Sequence, residues 1–209
     1  HIAGQHRIET NFLTRLSEDN VIRVDNDFFE KEYTGTQTLD VFVTAETEGA
    51  FLEGSTLSRM AIFENKLETH KDIDQAISYL DVLRQTHRHL GGKGPLPTSR
   101  PAAAQELLLL EMGGGSDLDQ VLSTDRSVAR MTLRVREHRM RATHDLAQEV
   151  ERIGQQILGD TLKVECTGLM VLTGGWIDEI ITGQRNGVIA SIVVITILMM
   201  AGLRSLSIG

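Results

Sequence analysis

Ala129-Arg130-Met131-Thr132-Leu133-Arg134-Val135-Arg136 alternates apolar and polar side chains without a break. A period of two puts Ala129, Met131, Leu133 and Val135 on one face of a strand and Arg130, Thr132, Arg134 and Arg136 on the other. A long amphipathic stretch follows, with Leu146, Val150, Ile153 and Ile157 on one helical face, and Gly159 stands where a helix C-cap belongs. Leu162, Val164 and Cys166 then alternate with Thr161, Lys163 and Glu165, which is strand period again. Strand, helix and strand make one βαβ-type unit.

The same order recurs upstream. In Thr38 to Ala45, Leu39, Val41, Val43 and Ala45 share one face, and Thr38, Asp40, Phe42 and Thr44 share the other. Glu53-Gly54-Ser55 opens a helix whose Leu57, Met60, Phe63 and Leu67 recur every three to four residues. Lys71 to Ala76 reads as a weaker strand with Ile73 inward. A helical insert, about residues 77–124, separates the two units. It holds a helix with Ile77, Leu80, Leu83 and Leu90, then the breaker-rich loop Gly91 to Pro101, which carries all three prolines. A helix from Ala102 to Met112 is stopped by Gly113-Gly114-Gly115. Ser116 can N-cap a short helix through Leu122. Two such units predict an α+β domain of the split βαβ, ferredoxin-like plan over residues 38–168, with one sheet face under helices and one open. Residues 1–37 are polar, and Asp25 to Tyr33 reads as a short helix ending near Gly35.

The C-terminal part is of another kind. Gly187 to Leu203 contains 17 residues and no charge. As a helix it reaches about 25 Å, against a bilayer core of about 30 Å, and Ile180 to Gly183 can extend it. Residues 169–186 read as a connecting helix, 187–203 as a transmembrane helix and 204–209 as the start of a cytoplasmic loop. The other reading, a buried core helix, needs an apolar partner on every side, and nothing else in the chain supplies one. Arg185 and Arg204 flank the run with one charge each, so charge alone leaves its orientation undecided. A polar body ending in such a helix reads as a piece of a longer chain or as a tail-anchored protein.

Composition excludes several classes. The chain has 209 residues, 29 acidic against 21 basic, and a net charge of −8. An acidic balance with 4 % aromatics argues against nucleic-acid binding, which needs a basic surface and stacking rings. A single cysteine excludes an internal disulfide framework and a cysteine-cluster zinc site.

Five segments carry a resemblance. Asn11-Phe12-Leu13-Thr14-Arg15-Leu16-Ser17-Glu18-Asp19-Asn20, Leu39-Asp40-Val41-Phe42-Val43, Leu122-Ser123-Thr124-Asp125, Cys166-Thr167-Gly168-Leu169 and Leu203-Arg204-Ser205-Leu206 stand in the order and spacing of a known loop. Together they resemble the first extracytoplasmic loop and second transmembrane helix of exporters of the resistance–nodulation–division (RND) superfamily, in the branch with the mycobacterial-membrane-protein-large (MMPL)-like domain. Leu203 departs from the pattern, which usually has Phe there. The resemblance implies a proton-driven exporter of hydrophobic or lipid-like molecules in a bacterial inner membrane, with most of this stretch periplasmic and forming one porter domain. It implies a missing membrane helix before residues 1–37. The implied partners are the rest of the same chain, including a second porter loop, and membrane lipid, with room for a homo-oligomer. The proton-relay carboxylates of such exporters lie on later helices, so none is carried onto this sequence. The rival expectation is a single-span, membrane-anchored sensor or binding domain.

Individual constellations add little chemistry. Arg126, Arg130, Arg134, Arg136, Arg139 and Arg141 form a basic stretch that reads as a salt-bridged face, with Glu165 as a cross-strand partner. Gly91-Gly92-Lys93-Gly94 lacks the spacing of a phosphate loop, and Pro95 follows it. His70, His87, His89, His138 and His144 show no zinc-ligand pattern and read as surface residues. Cys166 falls on the apolar phase of its strand and reads as a small buried hydrophobe. Asp178 and Glu179 read as a polar flank of the membrane helix. No catalytic, cofactor or metal residue is expected, the substrate-binding residues are left unassigned, and the chain is not expected to be an enzyme.

Overall fold

The computed structural model describes residues 16–32, 37–113, 118–136 and 140–203. The readings placed on Asn11 to Arg15, Gly35, Gly114 to Ser116, His138, Arg139 and Arg204 to Leu206 lie outside these residues. So do the side chains of Arg141, Asp178 and Glu179.

The architecture is mixed α/β. Four strands, β1 (Gln37–Ala45), β2 (Ile73–Ser78), β3 (Val128–Val135) and β4 (Leu162–Thr167), form one sheet in the order β2-β3-β1-β4. Every neighbouring pair is antiparallel. Alternation sets the burial: Leu39, Val41, Val43 and Ala45 of β1 and Ala129, Met131, Leu133 and Val135 of β3 all face the core. Two helices cover that face, α2 (Gly54–Glu68) after β1 and α6 (Met140–Leu158) after β3. Leu57, Met60, Phe63 and Leu67 of α2 are buried against Leu146, Val150 and Ile153 of α6 and the strands. Between β2 and β3 lie α3 (Tyr79–His89), α4 (Arg100–Met112) and the one-turn α5 (Leu118–Val121).

Three boundaries differ from the sequence expectation. The strand read at Lys71 to Ala76 begins at Ile73 and runs to Ser78, so Ile77 lies in β2 and not in the following helix. Ser78 decides this: its Oγ accepts from Leu80 N at 3.2 Å while its own N–H donates to Asp81 Oδ2 at 2.9 Å, a capping box. α4 starts two residues before Ala102, with Pro101 in its first turn, where a missing N–H costs nothing. The N-terminal helix α1 spans Val21–Glu32 and starts four residues before Asp25. Asn20 Oδ1 accepts from Ile22 N at 3.0 Å and caps it. Val21, Ile22, Val24 and Phe28 are all exposed, so no buried apolar repeat marks the first turns of α1.

A buried ion pair ties α2 to the insert. Glu64 accepts from Arg84 Nη2 at 2.6 Å, Arg84 also donates to Asp81 at 3.1 Å, and Ser78 Oγ donates to Glu64 at 3.4 Å. Burial pushes the Glu64 carboxyl up, and Arg84 pulls it back. Beside it Phe51 and Tyr79 meet edge to face, 5.9 Å apart at 83°.

Candidate functional site

Three surfaces are available for function: the C-terminal helix, the uncovered sheet face, and a groove at the far end of the sheet. The helix α7 (Leu169–Leu203) has 35 residues, about 52 Å at 1.5 Å per residue. Gly168 separates it from β4 with φ +141°, a conformation that favours glycine, and Leu172 N donates to the Gly168 carbonyl at 3.0 Å to close the first turn. The first turns pack on α6, and Val171 touches the core.

Beyond them, Thr182–Met200 forms a 19-residue apolar stretch with none of it buried. Val188, Ile189, Ile192 to Ile195 excluding none, Ile197, Leu198 and Met199 are each between 49 % and 65 % exposed. Among the described residues nothing covers any side of this stretch, so it is not a core helix of the domain that precedes it. The stretch begins five residues before Gly187 and takes in Arg185.

The open sheet face is salt-bridged, as expected, with a different partner. Asp40 accepts from Arg130 Nε at 3.1 Å, Arg130 Nη2 at 2.9 Å and Thr132 Oγ1 at 2.8 Å. Arg136 pairs with Asp74 at 2.7 Å, while Arg126, in the turn before β3, pairs with Glu111 of α4 and not on the sheet face. Glu165 takes Lys163 at 2.8 Å on its own strand, and none of the described arginines. Register explains the correction: Phe42 stands between Arg130 and Glu165 in the sheet and keeps them apart.

The groove, of about 460 Å³, lies where β1 ends and β4 begins. That is the end of the sheet remote from α7, one strand length or about 20 Å away. Glu46, Glu48, Glu53 and Asp160 line it with Arg59 and Arg100. Both arginines are engaged: Arg59 donates to the Leu158 carbonyl at 2.6 Å and Arg100 to Glu53 at 3.1 Å. Among the described residues no cluster of three or more His, Cys, Asp or Glu is arranged for a metal ion.

The decisive likeness is to a family model. Residues 43–209 match the model of the MMPL family. The chain belongs to the MMPL family. It is therefore part of a larger RND-type membrane transporter chain. The match begins inside β1, so the resemblance at Asn11 to Asn20 lies upstream of it. No curated protein matches the chain.

Within this MMPL chain the remaining candidates fall out as follows. Gly91 to Gly94 is a loop between α3 and α4, and its Lys93 carbonyl faces the His87 ring. The surface expectation fails at His87, which is buried with Nδ1 2.7 Å from Glu106 Oε1. His89 is exposed, His144 is half-buried, and His70 is half-buried with Nε2 3.6 Å from Glu149. Cys166 is half-buried and packs against the core; burial, with Glu151 beside it, pushes its thiol up to about 12. A thiol that stays protonated is a poor nucleophile. Nothing in the local sequence announces the His87–Glu106 pair, because its partners lie 19 residues apart on different helices.

Proposed function

We propose that this stretch is one porter domain of a proton-motive-force-driven RND exporter of hydrophobic or lipid-like substrates. The observation that carries the reading is the match of residues 43–209 to the MMPL family. The uncovered apolar helix supports it, since an anchor for the domain is what such a transporter requires at this position. In this reading the domain is of the split βαβ plan, supported by the two strand–helix–strand units whose strands interleave in the sheet. Residues 38–168 stand on the periplasmic side of a bacterial inner membrane, and the helix carries them there. Residues 169–186 connect them to the helix over 187–203, and 204–209 open a cytoplasmic loop.

A sheet with a well-packed core face moves as a rigid body, so the domain serves as a wall and not as a binding pocket. The substrate path runs along its contact with a second porter loop of the same chain, with membrane lipid as the source of substrate. The chain does no covalent chemistry. A membrane-anchored sensor would share the helix and the domain, but it has no account of the family match.

Transport by the full transporter chain in proteoliposomes tests this. A fluorescent lipid-like substrate should move when a proton gradient is imposed and stop when a protonophore collapses it. Flux that ignores the gradient, or movement of only small polar solutes, overturns the proposal.

A further inference from the structure

His87 stands on the last turn of α3 with both ring nitrogens against acceptors. Nδ1 is 2.7 Å from Glu106 Oε1 of α4, and Nε2 is 3.4 Å from the Lys93 carbonyl in the loop between the helices. A carbonyl cannot donate, so Nε2 must carry a proton for that contact. A second proton must then lie between Nδ1 and Oε1, on either atom, for the pair to be bonded. Loss of that one proton leaves a single N–H for two acceptors, beside a buried carboxylate whose Oε2 has no partner among the described residues.

The loop is laid closely on this ring. A Cβ at Gly92 would fall 2.2–2.4 Å from ring atoms of His87, and Gly92 N donates to the His87 carbonyl at 2.9 Å. Loop and helix together bury Leu96, Ala103 and Leu107.

Other charges around the pair are engaged elsewhere or point to solvent. On α3, Arg84 is held by Glu64 and Asp81, while Arg88 and His89 are exposed. On α4, Arg100 is held by Glu53 and Glu111 by Arg126. The Lys93 side chain is exposed. On β2 and β3, which pack against α3, Asp74 pairs with Arg136 and Arg130 with Asp40, and Arg134 lies with Arg130 on the open face.

We propose that the proton shared by His87 and Glu106 is a latch on the insert: its loss as pH rises frees α4 and the 90–99 loop from α3 and uncovers the apolar surface under Leu96, Ala103 and Leu107. The hydrogen bond to Glu106 holds the imidazole above its ordinary value of 6.5, against the opposing effect of burial. A raised value fixes the sign. The latch is fully closed below about 6.5 and opens as pH climbs through the higher value of the folded state.

Hydrogen–deuterium exchange on the full transporter chain in detergent micelles, from pH 5.5 to 9 and normalised for intrinsic exchange, reads the latch directly. Histidine-15N NMR on the same sample follows the His87 ring. Protection of residues 90–112 should fall about tenfold or more in step with the His87 transition, while β1 and β3 stay protected. Glu106→Gln should move that transition to lower pH. A flat protection profile for 90–112, or a His87 transition at or below 6.5 in the native chain, overturns the proposal. The native chain alone decides it if the variant does not fold.

Discussion

Asp125 gathers three donors in the turn that enters β3. Ser123 Oγ donates to its carboxylate at 2.6 Å, Ser127 Oγ at 2.7 Å and Ser127 N at 3.1 Å. The Ser123 hydroxyl, the first of these, and then Ser127 hold the carboxyl down at about 2. Arg126 beside it takes a left-handed φ of +58°, unfavourable for a residue with a side chain, and its guanidinium reaches the Ser123 carbonyl at 2.8 Å and Glu111 on α4. The turn thus fastens the end of the insert to the sheet. Asp125→Ala should lower the melting temperature by a few degrees at neutral pH. A depressed carboxyl contributes stability above its unfolded value and loses it as pH falls through the folded one. The gap between the two melting temperatures should therefore be constant above pH 4 and close toward pH 2; an unchanging gap would show that the side chain acts without its charge. The sequence singles out Leu122-Ser123-Thr124-Asp125 by resemblance alone, and the turn chemistry supplies its physical reason. His87 shows the opposite limit, since its burial depends on a helix that arrives only after the Gly91 to Pro101 loop has reversed the chain.

Elements follow their patterns where one face is buried and depart from them where it is not. β1, β3 and β4 are legible because alternation is unbroken and a slip by one residue would turn their apolar sets outward. β2 is harder because an irregularity between Ile73 and Gln75 breaks the period. Both outer strands are also shielded by a glutamate from the helix that precedes them. Glu68 of α2 accepts from Ala76 N at 3.4 Å, and Glu151 of α6 accepts from Cys166 N at 2.8 Å. Such contacts occupy amides that would otherwise invite another strand, and no local pattern encodes them. Helix α6 comes close to the sheet at Gly154, where a Cβ would fall 2.8 Å and 2.9 Å from the two methyls of Val164. Gly154→Val should destabilise the domain by about 1–3 kcal/mol through overpacking, read by denaturant unfolding. Gly183→Val, where nothing lies within 4 Å, is the control and should leave the domain's stability unchanged.

At the scale of the whole molecule, an acidic α/β domain with its own core is joined to a helix that has no core to enter. The average mean hydropathy of −0.12 hides this division, and the position of the charges reveals it. Over Thr182–Met200 the helix is about 28 Å long, close to the 30 Å of a hydrocarbon core, and every described side chain there is exposed or half-exposed. In water such a surface would drive aggregation; in lipid it is matched to its solvent, and the helix keeps its backbone groups bonded. Near the middle of the stretch, Ile192 and Ile195 stand three residues apart, on neighbouring positions of one helical face. Arginine at the centre of a membrane helix costs about 2.5–3.5 kcal/mol per residue for insertion. The double variant Ile192→Arg with Ile195→Arg should therefore move the 209-residue chain from the carbonate-washed membrane pellet into the extractable fraction. Lys163→Arg, an exposed position on β4, should leave it in the pellet. Equal retention of all three chains would mean that α7 is not what holds the domain at the membrane, and the anchor would have to be sought in the exposed apolar side chains of α1.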